Sequence, residues 1–513
     1  MSEIIFVDTT LRDGHQSLWA ENMTTGMMLP IAERMDQAGF EAIELISASH
    51  LKKCVRELKE DPWDRVRLIA QRVKKTPLRL IAGRVNAFEI TPISIYRLFI
   101  ERMAANGMRQ ARISDEWNDP ESWRRKVDIS RAAGLEPIVN LIYSVSPRHT
   151  DEHYAQKARE AAALGKPRLC LKDPGGLLTP ERTRALVPLI FANGGGAPLE
   201  LHTHCTTGLG PLCALEAIQL GVKIVNTAIP PLADASSNPS LFNVTRNARA
   251  LGFSPAIDEA ALKPVSQHFG VIAEREGFPV GAPAEYDYSQ YQHQVPGGMI
   301  SNLRHQLRKV GLEHKLEAAL EECIQLRAEF GYPIMVTPLS QFVGSQAAIN
   351  VIVGERYKEV TDQVIQYALG RWGKEGALTM DANVKDKILS RPRAKELAGI
   401  EPGEPSVKEV RNKIGAPGVS DEELLLRWVV HREDIQAMRA AGPIQEYLTA
   451  AHPLIMLLRE LLEHDSSQEI AMQNSEVKLV LKRGNHSGTV HSSRVHPSDS
   501  QISPSPSLRR SLS

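Results

Sequence analysis

The chain has 513 residues, 42% hydrophobic and 24% charged, with 61 Lys plus Arg against 61 Asp plus Glu. A formal net charge of zero offers no electrostatic footprint for nucleic acid or an anionic membrane, and the length exceeds one ordinary core, fitting a large barrel plus a further domain. Five scattered cysteines (Cys54, Cys170, Cys205, Cys213, Cys323) argue for a reducing compartment and against a disulfide framework. The N-terminus reads directly into an apolar strand rather than a leader peptide, and no apolar run approaches a membrane-spanning length. The expected location is the cytoplasm.

In chain order, short apolar runs alternate with amphipathic stretches. The predicted strands are 4–8, 42–46, 78–82, 110–114, 137–142, 169–172, 199–204 and 223–228. Each is largely continuous in apolar residues, as parallel strands buried on both faces require. Helical patterns lie between them, at 28–37, 93–105, 180–191 and 209–220. Eight βα units in this length predict a (β/α)8 TIM barrel over 1–273, with its chemistry at the C-terminal strand ends. Longer helical segments follow at 301–310, 315–330, 341–353 and 360–371, predicting a helical domain over 274–464. The remainder, 465–513, holds one candidate strand at 476–482 and then Ser, His, Pro and Arg, the composition of a disordered tail.

Polar residues gather at the predicted strand ends. After strand 1 comes Asp8-Thr9-Thr10-Leu11-Arg12-Asp13-Gly14-His15-Gln16. Asp13 can bind a divalent metal, and Arg12 with Gln16 can hold a small acid or its enolate; a capped turn with an Asp–Arg pair is the plainer alternative. Strand 7 ends in His202-Thr203-His204, whose imidazoles face the same way, as residues i and i+2 of a strand do. They make half a metal site, which Asp13 extends if the barrel closes. Strand 6 ends in Lys172-Asp173-Pro174-Gly175-Gly176. A lysine there either pairs with Asp173, snorkels to solvent, or reacts with CO2 to give an anionic carbamate that ligates the same metal. Beyond the barrel, Pro296-Gly297-Gly298 turns into a helix that Ser301 or Asn302 caps, or from which Ser301 reaches back over the mouth.

Taken together, DTTLRDGHQSLWA, LKEDPW (58–63), LKDPGGLLTP (171–180), LHTHCTTG (201–208), QVPGGMISNL (294–303) and VTPLSQFVGSQA (336–347) resemble the carboxyltransferase domain of biotin-dependent enzymes. That group includes pyruvate carboxylase, the oxaloacetate decarboxylase alpha subunit and the transcarboxylase large catalytic subunit. The resemblance implies a metal-dependent transfer of a carboxyl group between carboxybiotin on a separate carrier and a small keto acid such as pyruvate or oxaloacetate, through an enolate. It implies zinc, manganese or cobalt on Asp13, His202, His204 and carbamylated Lys172. Arg12 and Gln16 would contact the acceptor, and Ser301 would relay a proton. It also implies a biotin carboxyl carrier protein and a biotin carboxylase as partners, and a homodimer. No Ala-Met-Lys-Met segment occurs, so biotin is expected in trans.

The chain departs from the family's pattern in three places. The usual LLRGQN reads Ile81-Ala82-Gly83-Arg84-Val85-Asn86, which puts Gly83 where the family's arginine stands and makes Arg84 the candidate replacement. A family tyrosine becomes Ile90, and the usual WGGATFD reads Ile46-Ser47-Ala48-Ser49-His50-Leu51-Lys52. Two competing readings follow. One is a Claisen-type acyl-CoA lyase or synthase of the same barrel superfamily, which shares DTTLRDG and His-x-His. The other is a non-catalytic scaffold of a carboxylase complex, which an intact metal set disfavours.

Overall fold

The computed structural model describes residues 2–86, 89–400 and 403–447, and the backbone of three tail strands; the side chains at 297, 298, 301, 302, 305 and 306 lie outside that description. Eight parallel strands, β1 (Glu3–Asp8), β2 (Ala42–Ser47), β3 (Leu78–Ala82), β4 (Gln110–Ile113), β5 (Glu136–Ile142), β6 (Arg168–Asp173), β7 (Leu199–Thr203) and β8 (Ile224–Thr227), run in sequential order. The barrel closes through β1, which pairs with β8 (Ile5↔Ile224) and with β2 (Val7↔Ala42). A two-residue strand, β9 (Ser254–Pro255), adds to the start of β1. All eight predicted strands are present, with no end shifted by more than one residue.

Several crossover helices begin with the same chemistry. Asp61, Asp119 and Thr179 each accept a hydrogen bond from the first turn, and proline follows each of them as the first helical residue. The side chain satisfies a donor the helix cannot, and proline sacrifices one that had no partner.

The helical region packs over the strand C-termini as Gly297–Lys309, Leu316–Glu329, Leu339–Val353, Asp362–Ala368 and shorter helices beyond. The structure corrects the expected cap at Ser301 or Asn302. The helix begins at Gly297, with Pro296 as its cap and the Pro296 carbonyl accepting from Met299 and Ile300. Proline's fixed φ suits that position, so the Gly-Gly pair enters the helix instead of forming a turn ahead of it. Trp117, from the loop after β4, joins the helical region's own core and donates from Nε1 to the Trp372 carbonyl at 2.8 Å. Arg327 reaches back to Ser144 Oγ and the Val145 carbonyl, at 3.0 and 2.8 Å.

The last three helices of this region, Val407–Lys413, Asp421–Val429 and Arg432–Ala440, return to the barrel, where Val410, Leu424, Leu425 and Met438 join its core. Met1–Tyr447 therefore forms one compact unit, spanning the division expected at 273. Leu448–Ser513 forms a second unit, and the division expected at 464 lies outside the described residues. In the tail the expected strand is present as Val477–Lys482. It is the middle of a three-stranded antiparallel sheet with Glu469–Gln473 and Val490–Arg494, where the sequence pattern predicts one strand.

Candidate active site at the barrel mouth

A single π-turn, Thr10–Gly14, carries Arg12 and Asp13 off the end of β1. It is fixed to its neighbours. Asp8 accepts from the Thr10 hydroxyl and N–H, Thr9 Oγ1 donates to the Thr227 carbonyl at 3.0 Å, and Thr10 Oγ1 accepts from Ile229 N–H at 2.8 Å. Such turns recur where a helix must aim a functional side chain. Asp13 thereby meets β7: Asp13 Oδ2 lies 3.0 Å from His202 Nε2 and 3.3 Å from His204 Nε2, and the two nitrogens are 3.2 Å apart. All three residues are buried.

The other face of each imidazole fixes its tautomer. His204 Nδ1 lies 2.7 Å from the Ser236 carbonyl, which only accepts. His202 Nδ1 lies 3.1 Å from Asn226 Oδ1, an oxygen that Arg112 also approaches with a donor at 3.1 Å. Both Nδ1 atoms therefore donate, and both Nε2 atoms turn lone pairs toward the Asp13 carboxylate. Burial first, and then Arg112, pull His202 down to about 3, so it stays neutral near pH 7. Burial alone would push the Asp13 carboxyl up, but the surrounding charges, Arg12 foremost, outweigh it and hold Asp13 well below the usual carboxylate range. Three converging lone-pair atoms of this N2O type fit a divalent cation.

Lys172 stands on β6 in direct register with His202 and lines the same cavity. Asp173, one residue on, faces away: its carboxylate accepts from Leu177 and Leu178 N–H at 2.8 and 2.9 Å and from Thr203 Oγ1 at 2.9 Å. Alternation along the strand thus separates the two residues and removes the Lys172–Asp173 pair as an explanation of the lysine. Among the described residues Lys172 has no ion pair. Burial, then Arg112 and Arg12, lower its ammonium to about 8. Gly176, in the following turn at φ +64°, admits no side chain, because a Cβ there would sit 2.8 Å from the His204 carbonyl. The turn after β6 is in this way keyed to the end of β7.

Beneath these ligands lies a charged layer that strand periodicity does not suggest. Glu44, Arg79, Arg112 and Glu200 are fully buried inside the barrel. Arg79 pairs with Glu200 at 2.8 Å, and Arg112 with Glu44 at 3.1 Å. Arg12 joins Glu44 (Nε at 3.1 Å) to Asp13 (Nη2 at 2.8 Å). A ring of contacts runs Asp13–Arg12–Glu44–Arg112–Asn226–His202 and back to Asp13. Charged residues centred in otherwise apolar strands, as in AIELIS and QARI, were the legible signal.

The cavity above has a volume of about 770 Å3. Gln16 lines it, and its Oε1 accepts from Arg12 Nη1 at 3.3 Å. Arg84 also lines it, but its Nε donates to Glu116 Oε1 at 2.7 Å and its guanidinium stacks 4.9 Å from the Trp372 ring centre. No atom of the described residues would meet a Cβ at Gly83 within 4 Å, so the position of the family's arginine is open space among them. Pro296, Met299, Met335, Val336 and Pro338 of the helical region roof the cavity. Ser301 falls on the helix Gly297–Lys309, and its side chain lies outside the described residues.

Fold and site together define a TIM-barrel protein with a metal-type His2Asp cluster at its catalytic end. The family described as HMGL-like matches residues 3–268, and the conserved carboxylase domain matches 291–448. A pyruvate carboxylase subunit from Methanothermobacter thermautotrophicus is 34% identical over 82% of this chain and 75% of its own length. The 2-oxoglutarate carboxylase large subunit of Hydrogenobacter thermophilus is 33% identical over 83% of this chain and 66% of its own. The carboxyl transferase domain from Rhizobium etli pyruvate carboxylase, solved with pyruvate, has the same fold at 22% identity, with a TM-score of 0.78 over 96% of this chain and 88% of that one. The chain belongs to the carboxyltransferase family of the biotin-dependent carboxylases, enzymes of the pyruvate carboxylase type. It spans between 66% and 75% of the length of the first curated relatives it matches.

Proposed function

We propose that this protein moves a carboxyl group between biotin on a separate carrier protein and a small keto acid, pyruvate, oxaloacetate or a related acceptor, through its enolate. The observation that carries the reading is the convergence of Asp13, His202 and His204 at the barrel mouth, with Lys172 in register beside them. Those four residues would hold zinc, manganese or cobalt, with Lys172 as its carbamate. When bound, such a metal supplies Lewis-acid stabilisation of enolate charge, and biotin supplies the carboxyl carrier.

The chain's own groups supply the rest. A lysine lowered to about 8 presents a substantial neutral fraction near pH 7, and only the neutral amine adds CO2. Because Gln16 Oε1 already accepts from Arg12, its amide nitrogen is left to donate to the acceptor, which Arg12 orients from the same side. Arg84 contributes a directional contact rather than a free charge, since Glu116 already balances it. Ser301 would relay a proton between the ligands. The apolar roof from Met299 to Pro338 keeps bulk water from the reacting groups.

The expected partners are a biotin carboxyl carrier protein, a biotin carboxylase and a second copy of this chain, in the cytoplasm. No described helix is long and apolar enough to cross a membrane. The match of 291–448 to the conserved carboxylase domain favours this reading over a Claisen-type lyase, and the complete ligand set favours it over a scaffold. The test is oxaloacetate decarboxylation with and without free biotin, with Lys172→Ala as control. Biotin-stimulated pyruvate release that disappears in Lys172→Ala is the expected result; metal-loaded protein inert toward every keto acid offered would overturn the proposal.

A further inference from the structure

The end of β2 carries side chains that the metal cluster does not use. Ser47, its last residue, is buried and lines the cavity. Ser47 Oγ lies 2.6 Å from His50 Nδ1, and Ser47 N–H donates to the same nitrogen at 3.2 Å. A ring nitrogen that accepts a backbone N–H holds no proton, so the Ser47 hydroxyl is the donor to it and His50 carries its proton on Nε2. Ser49 Oγ, 2.8 Å away, then donates to Ser47 Oγ. The cavity side of Ser47 is therefore a proton acceptor backed by an imidazole.

Behind it, His50 is completely buried. Among the described residues its Nε2 has no hydrogen-bond partner, and it lies 3.8 Å from Glu21 Oε1. The Glu21 side chain is 19% exposed and lines the same cavity. Burial raises this carboxyl against the pull of Lys53 and Arg65, which makes it a ready proton acceptor. Ser47 and Glu21, both at the cavity wall, flank the buried His50 ring at its two nitrogens, and water reaches the carboxylate. They fall on or face residues 46–52, where the chain departs from the family's pattern.

Resting on the carboxyl-transfer reading, we propose that Ser47, His50 and Glu21 form a proton wire that takes a proton from the acceptor's carbon, stores it and exchanges it with water. In the forward sense the C–H bond breaks and its electron pair stays on carbon as the enolate. The proton goes to Ser47 Oγ, the Ser47 proton to His50 Nδ1, and the His50 Nε2 proton to Glu21, whose partly exposed side chain closes the 3.8 Å gap to hydrogen-bond distance for that step. The imidazole changes tautomer without becoming charged. Running the three transfers backward returns the proton to the cavity, where Ser301 would pass it to the decarboxylated biotin, and restores the first tautomer, so nothing accumulates over a turnover.

The test follows loss of the C3 proton signals of pyruvate and of 2-oxoglutarate in D2O by NMR, using full-length metal-loaded protein with free biotin. Oxalate affinity and melting temperature are measured on the same preparations. The wild type exchanges at least one of the two acids. Ser47→Ala, His50→Gln and Glu21→Gln each slow exchange by at least about tenfold, the scale of lost general acid–base catalysis, with oxalate affinity unchanged. Ser47→Thr restores most of the rate. Wild-type exchange in folded, oxalate-binding Ser47→Ala overturns the wire and leaves the carboxyl-transfer reading standing. A wild type that neither exchanges keto-acid protons nor binds oxalate overturns that reading, and the wire with it.

Discussion

Glu44→Gln tests the charged layer beneath the site. Glu44 is fully buried and serves three guanidiniums, Arg112 at 3.1 Å, Arg12 at 3.1 Å from Nε and Arg79 at 3.8 Å. Burial alone would push its carboxyl up, but Arg112 and then Arg12 outweigh that and hold it at about 2, against an ordinary 4.5. A carboxylate depressed to this degree contributes roughly 3 kcal/mol at pH 7. Removing one partner of a buried pair costs about the same, 3–5 kcal/mol, because the other charge is left without compensation. The sign follows from the depression: the contribution is complete above pH 4.5 and drains as pH falls toward 2, so about 2 kcal/mol remains at pH 3.5.

Urea unfolding followed by circular dichroism at pH 7 and pH 3.5 reads both values. The gap between wild type and Glu44→Gln is expected to be several kcal/mol at pH 7 and to narrow by about a third at pH 3.5. Adding Arg112→Met to Glu44→Gln is expected to restore part of the loss, since the orphaned charge goes with it. A Glu44→Gln protein within about 0.5 kcal/mol of wild type, or a gap indifferent to pH, would mean that Glu44 does not offset the buried guanidiniums.

Elemental analysis of the purified protein is expected to give about one divalent metal per chain, falling close to zero in Asp13→Asn, His202→Ala and His204→Ala. Arg12→Lys is expected to cut keto-acid turnover about 100-fold, since lysine cannot span Asp13, Glu44 and Gln16 at once. By contrast, Arg84→Ala should raise the acceptor KM only about threefold, because Glu116 already neutralises that charge; steady-state kinetics on both variants separates the two roles. Gly26→Ala would put a Cβ 2.0 Å from the Gln445 carbonyl, where the chain's return to the barrel is also tied by Tyr447 N–H to the Gly26 carbonyl. It is expected to cost about 1–3 kcal/mol and lower the melting temperature; an unchanged melt would show that the 441–447 segment yields freely.

Periodicity and turn chemistry carried the barrel. A strand buried on both faces must be apolar throughout, and a helix covering it must be amphipathic, so the eight units are written locally in the order of the residues. Asp13, His202, His204 and Lys172 were legible for a related reason. Polar groups ending buried strands are costly unless they have work at the mouth, and closure brings β7, β8 and β1 side by side. The helical region was legible as helices, but the return of 407–440 onto the barrel was not, since an amphipathic face does not name its partner.

Register and direction, by contrast, are set by the folded chain. One residue separates Lys172, which lines the cavity, from Asp173, which is spent on backbone N–H groups; strand alternation sorts them, and no composition rule could. Arg84 looks in sequence like a shifted replacement for the family's arginine, and in space it is held by Glu116 and Trp372. The Glu44–Arg112 ring and the approach of His50 to Glu21 join residues from different turns of the barrel, at separations that local pattern does not encode. Sequence by itself fixes which groups end each strand, because burial and periodicity act locally. Which of them face one another depends on barrel closure and strand register, which exist only once the chain is folded.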